Sequence, residues 1–132
     1  MRRRRFIVDP ENVQLRCVIV DDSPLFLEGA VDLLTLEGLD VVGVASDSAE
    51  AIRLVTELGP DVTLVDVDLG DEDGFEVAQR LHAMPGAAKV ILVSTHAEED
   101  LAQLIAGSPA LGFIPKTRLS AHAIRETLAR AA

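Results

Sequence analysis

Cationic residues are scarce in this sequence: 12 Lys and Arg stand against 22 Asp and Glu, for a formal net charge of −10. Phosphate backbones are gripped by lysine and arginine, so direct nucleic-acid contact by this domain is not expected. An acidic surface suits solubility and cationic partners. Cysteine is nearly absent too, with Cys17 alone in an apolar run. No disulfide framework or cysteine-based metal cluster is available, and the expectation is a buried structural thiol in a reducing cytoplasm. Long apolar runs are also missing. None approaches the roughly 20 residues that span a bilayer, and Arg2, Arg3, Arg4 and Arg5 precede too short an apolar segment for a signal peptide. A soluble protein with no membrane contact is expected.

What is present suffices for one compact domain: 132 residues, 48% of them apolar, can bury a single core. Charge is uneven along the chain. Residues 1–14 hold four arginines against Asp9 and Glu11 and read as an appended basic arm, expected to be flexible and solvated, with contact to an acidic partner as the alternative. The folded domain is read over 15–132.

From Leu15 onward, short β-branched runs alternate with longer amphipathic stretches, the signature of a βα repeat. The predicted strands are Leu15–Val20, Asp40–Val44, Asp61–Val65, Lys89–Val93 and Leu111–Ile114. Most are continuously apolar, as parallel strands covered on both faces require. Ser23-Pro24 supplies an N-cap and first-turn proline for a helix whose apolar face is Phe26, Leu27, Ala30, Val31 and Leu34, with Gly38 at its stop. Ser48 opens a second helix with Ile52, Val55 and Leu58 inward, ended by Gly59-Pro60. Asp73 caps a third, carrying Val77 and Leu81 until Met84-Pro85-Gly86. A fourth spans Ala97–Ala106, and Ser120 starts a fifth with Ile124 and Leu128. Five βα units imply an α/β fold with a doubly wound five-stranded parallel sheet of order 2-1-3-4-5, the flavodoxin-like (βα)5 arrangement.

In that order strands 1 and 3 are neighbours, and ligands bind beyond their carboxyl ends. There the sequence places acid: Val20 runs into Asp21-Asp22, and Val65 into Asp66. Each aspartate singly can be a helix cap or loop start. Together, at strands about 4.8 Å apart, two such charges 5 Å from one another repel by roughly 3 kcal/mol at an effective dielectric near 20. A hard divalent cation such as magnesium compensates best. Ser94 ends strand 4 and Lys116 follows strand 5, offering a hydroxyl donor and a mobile point charge. Lys116 alone reads as a surface lysine; with the acids it points to a phosphoryl group handled beside a metal.

The segments VIVDDSP (18–24), VTLVDVDLGDEDGFEVAQRL (62–81), VILVSTHAEEDL (90–101) and GFIPK (112–116) resemble the four signatures of receiver domains of bacterial two-component response regulators. The resemblance covers Leu15 to about Ala131 and is closest to the subgroup with a helix-turn-helix output domain. It implies that Asp66 is the phosphoacceptor, served by a sensor histidine kinase or histidine phosphotransfer protein. It implies that Mg2+, or Mn2+ in its place, is bound by Asp21, Asp22, Asp66 and the main-chain carbonyl of Asp68. Ser94 and Lys116 are implied to contact the phosphoryl oxygens, and Ser94 and Phe113 to switch the face formed by helix 4, strand 5 and helix 5, toward a partner or a homodimer. Phe113 as an ordinary core residue is the alternative. Asp68 and His96 flank the path of attacking water and are expected to tune the lifetime of the phosphorylated state, against His96 as a plain exposed residue. His82 and His122 read as surface positions.

Two departures stand out. Gly70 occupies a position where the family usually has proline, and Lys116 is followed by Thr117 instead of proline, with Pro115 before it. Two competing readings are a phosphatase of the haloacid dehalogenase type using Asp66-Val67-Asp68, and a degenerate receiver that docks without phosphorylation. The first usually carries its Asp-x-Asp unit on the first strand, not the third. Intact Asp21, Asp22, Asp66, Ser94 and Lys116 oppose the second. The reading is of a signalling domain, not a multiple-turnover enzyme.

Overall fold

The structure is a computed structural model that describes residues 14–131. All of the arginine-rich arm except Gln14 lies outside the described residues. Five parallel strands, β1 (Arg16–Val20), β2 (Asp40–Ala45), β3 (Val62–Asp66), β4 (Val90–Ser94) and β5 (Gly112–Pro115), form one sheet of spatial order β2-β1-β3-β4-β5. The predicted order is the observed one, and each strand lies within a residue of its predicted bounds. Alternate residues of the apolar runs enter opposite layers, because successive strand side chains point to opposite faces. Cys17, Ile19, Leu64, Ile91 and Val93 pack with Ala30, Leu34 and Ile124 on one face. Val18, Val20, Val65 and Leu92 pack with Ala51, Val55, Val77, Ala78 and Leu81 on the other. Burial pushes the Cys17 thiol up to about 11, with the charge of Asp40 adding to the shift, so at neutral pH it is a protonated core group.

Among the described residues, five α-helices cover the faces: α1 (Pro24–Leu36), α2 (Ser48–Leu58), α3 (Gly74–Ala83), α4 (Ala102–Ala106) and α5 (Ala121–Ala131). Ser23 caps α1 through its side chain, which accepts from the Phe26 N–H. Helix α2 begins at Ser48, and its N-cap is the preceding Asp47, which accepts from the Glu50 N–H. Gly59 ends it in the left-handed conformation, φ 52°, that an L side chain adopts only at a cost. Asp73 caps α3 as expected. The segment read as a continuous helix from Ala97 differs: Glu98–Leu101 is a 3-10 turn and only Ala102–Ala106 is α-helical. Ala97 offers no capping side chain, and neither piece buries a residue fully, so little holds the first turn to α geometry.

One polar group sits badly in this core. Thr63 is fully buried in β3, and its Oγ1 has no hydrogen-bond partner among the described residues. An unsatisfied buried hydroxyl costs about 1–3 kcal/mol. Thr63→Val, of nearly the same shape, is expected to raise the free energy of unfolding by about 1 kcal/mol in a urea titration; a loss of stability would mean that the hydroxyl is satisfied.

Candidate functional site

The sheet register brings the acids together. Val20 pairs with Val65 across β1 and β3, so the residues that follow, Asp21 and Asp66, leave adjacent strand ends side by side. Asp66 in turn pairs with Val93, placing Ser94 next in line on β4, and Ser94 pairs with Pro115, placing Lys116 just beyond β5. The topology therefore delivers one residue from each of four strand ends to one small region.

One carboxylate oxygen from each of Asp21, Asp22 and Asp66 lies within 4.8 Å of the others. Asp21 is 0% exposed and Asp66 5%, while Asp22 is exposed. Each carboxylate is oriented locally. Asp21 Oδ1 accepts from the Ser23 N–H at 2.8 Å, and Asp66 Oδ1 accepts from the Asp68 N–H at 3.2 Å. The Lys116 ammonium stands 2.7 Å from Asp21 Oδ2 and 3.0 Å from Asp66 Oδ2, and 4.2 Å from the centre of the Phe26 ring on α1. Burial pushes the Asp66 carboxyl above the ordinary carboxylate value; the Asp68 N–H and Lys116 pull it part-way back, and the Asp21 charge opposes them. Burial works against the Lys116 ammonium, but its contacts with Asp21 and Asp66 outweigh that and hold it above the ordinary lysine value.

Glycines let the backbone close around this cluster. A Cβ on Gly74, the first residue of α3, would run into the main-chain carbonyl of Asp66, so only glycine lets α3 begin this close to the end of β3. Gly70 has φ 67°, and a Cβ there would come within 3.1 Å of Asp22 Oδ2. Ser94 is buried, and its Oγ accepts from the His96 N–H at 2.9 Å. His96 Nε2 lies 2.9 Å from Asp68 Oδ2, joining the loop after β4 to the loop after β3. Phe113 is half-buried against the core layer that holds Leu92. His82 and His122 are exposed. An apolar groove of about 420 Å3, lined in part by Val55, Pro60, Met84 and Ala88, adjoins the segments that precede β3 and β4, the ends of those strands opposite the acids.

Sequence reasoning reaches every acid, Ser94 and Lys116, but not Phe26 beneath the lysine, nor the closure of Asp68 on His96. Phe26 reads there only as part of an apolar helix face. Its spacing from Pro24 puts it in the first turn of α1, beside the strand ends, which is the signal available.

A family profile described as response regulator receiver domain matches residues 17–129. The chain belongs to the response regulator receiver domain family. The receiver is 34% identical over 121 residues to the probable transcriptional regulatory protein NarL of Mycobacterium tuberculosis, covering 91% of this chain and 56% of that protein. It is 29% identical to the transcriptional regulatory protein LiaR of Bacillus subtilis, covering 82% of this chain and 52% of the relative. The chain thus spans about half the length of these curated relatives. The solved signal receiver domain of the M. tuberculosis NarL protein superposes with a TM-score of 0.77 at 34% identity, covering 89% of this chain and 96% of that one. No described helix is long and apolar enough to cross a membrane.

The three carboxylates of the receiver suit a hard divalent cation, because they offer only oxygen donors and their mutual repulsion favours positive charge between them. Lys116 supplies part of that charge itself. Lys116→Met leaves two buried carboxylates without it, and a loss of about 3 kcal/mol in stability is expected in the presence of a chelator. Saturating magnesium stabilises both proteins by binding the folded state, and should narrow the gap in melting temperature because carboxylates freed of the lysine bind the cation more tightly. An unchanged melting temperature in chelator would show that the lysine does not balance these charges.

Proposed function

We propose that this chain is the phospho-accepting module of a two-component system, with Asp66 as the acceptor. The observation that carries the reading is a nearly buried carboxylate held between a lysine and a main-chain N–H, with two further carboxylates within reach. An oxygen of Asp66 attacks the phosphorus of a phosphohistidine on a sensor kinase or phosphotransfer protein. The P–O bond forms as the P–N bond breaks, and the released imidazole takes up a proton. Asp21, Asp22, Asp66 and the Asp68 carbonyl are the proposed ligands for Mg2+, or Mn2+. Bound there, the ion screens charge as phosphoryl oxygens approach a carboxylate.

Lys116 and the Ser94 hydroxyl serve the phosphoryl oxygens, in the manner of a phosphoryl site built on positioning and charge. The added charge, about −1.5 to −2, draws Ser94 and Lys116 inward, moves the loop from Ser94 to His96, and lets Phe113 turn toward the space that Ser94 leaves. The face of α4, β5 and α5 changes with it and engages a partner or a second copy. In a longer chain of the length of its relatives, the output is a helix-turn-helix domain, in keeping with relatives named transcriptional regulators. The reading places the chain in the cytoplasm, as a switch that modifies itself rather than a turnover enzyme, with residues 15–132 as the receiver and 1–14 as an appended arm.

Incubation with magnesium and acetyl phosphate, followed by intact mass, is expected to add a single labile group of roughly 80 Da, one phosphoryl, lost in Asp66→Asn. No adduct on the parent would overturn the reading in favour of a docking module, and rapid multiple-turnover hydrolysis of phosphate monoesters in favour of a phosphatase. The Asp68 and His96 side chains bridge two loops at the rim of the acceptor. Asp68→Asn and His96→Ala are each expected to shorten the half-life of the adduct several-fold by opening water's path. Half-lives equal to the parent's would remove both residues from a lifetime role.

A further inference from the structure

The loop between β3 and α3 must hold the Asp68 peptide still if its carbonyl is to serve a cation, yet proline is missing from it. Proline cannot simply be restored at Gly70, because its ring fixes φ near −65° and Gly70 stands at φ 67°. The loop is instead a tight antiparallel turn, in which Asp68 pairs with Asp73 and Leu69 with Glu72. Leu69 is buried in the core layer beside Val67 and Val77 and anchors the first arm of the turn. The second arm is anchored by a different element. Glu72 Oε1 accepts from the Ser48 N–H at 2.8 Å, and Glu72 Oε2 accepts from the Ser48 hydroxyl. Ser48 is buried at the first position of α2, where the N–H groups of a helix favour an anion.

Helix α2 does not rest on this contact alone. Helix α2 is already capped, by Asp47 accepting from the Glu50 N–H and Glu50 accepting from the Ser46 N–H. The bonds from the Ser48 hydroxyl and N–H also hold the Glu72 carboxyl below the ordinary carboxylate range, so the charged acceptor is the form that binds. We infer that Glu72 is a positioning residue: by docking on the start of α2 it stiffens the 67–73 loop and thereby sets the affinity of the Asp21, Asp22 and Asp66 site for a divalent cation. The inference rests on the cation site proposed above. It extends that site to α2, from which none of its ligands comes.

The test uses the full chain, with Glu72→Met, Glu72→Gln, Ser48→Ala and the Ser48→Ala/Glu72→Gln double variant. Two quantities are read at a temperature well below melting: amide hydrogen exchange of residues 67–73 in chelator, and the magnesium dissociation constant by calorimetry. A hydrogen bond to a charged group contributes enough that Glu72→Met is expected to weaken magnesium binding by about three- to tenfold, with faster exchange confined to the loop. Ser48→Ala should add little once Glu72 has been replaced, because the two act as one contact. A lower melting temperature with an unchanged dissociation constant and unchanged loop exchange would reduce Glu72 to a structural role and overturn the inference. If the parent binds no magnesium, the cation reading fails instead, and the exchange measurement alone decides whether Glu72 stiffens the loop.

Discussion

Everything at the carboxyl edge of the sheet turns on the contact of the Lys116 ammonium with Asp21 and Asp66. Two carboxylates almost without solvent would each demand compensation, and a positive charge 2.7 and 3.0 Å away gives it to both at once. The price is that the lysine must be delivered there by β5, two strands away from Asp66, so the order of the sheet is a condition of the pair. Phe26 completes the seat. Its ring faces the ammonium from α1, a cation–π contact that favours charge where water is largely excluded.

The strand sequences made this arrangement readable because a buried parallel strand has little choice of residue. Runs such as Val18-Ile19-Val20 and Leu64-Val65 are apolar on both faces, and an acid directly after them marks the point where the chain leaves the core. With β1 and β3 as neighbours, Val20 stands opposite Val65, and the meeting of Asp21 and Asp22 with Asp66 follows from register. Contacts that depend on loop path were not readable in this way. Nothing in the spacing of Ser48 and Glu72, 24 residues apart, says that one will bind the other, since that depends on the turn at Gly70. Likewise, the apolar spacing over 97–106 matches a helix, but pattern alone does not supply the cap and the buried side chains that would hold its first turn in α form.

The domain has firm parts and yielding ones. The loop after β3 is held at several points: Gly74 lies against the Asp66 carbonyl, Leu69 is in the core, and Glu72 accepts from Ser48 at the start of α2. The segment after β4 has a different construction. From Thr95 to Asp100 every residue is exposed, and its described side-chain ties are the bond from the His96 N–H to Ser94 and the contact of His96 with Asp68. Few buried contacts and an uncapped start are the marks of a low local unfolding free energy.

That contrast bears on how a local event in this family's fold can travel. Lys116, just beyond β5, is in direct contact with Asp66, and Ser94 ends the neighbouring β4. The β3 side is tied to the core and to α2, whereas the segment after β4 is held, among the described residues, by two side-chain polar contacts. A perturbation shared between a stiff wall and a soft one displaces the soft one. If Asp66 is the acceptor, as proposed above, the asymmetry of anchoring, more than any single residue, gives a reason for a response to run toward α4 and β5 instead of spreading evenly around it.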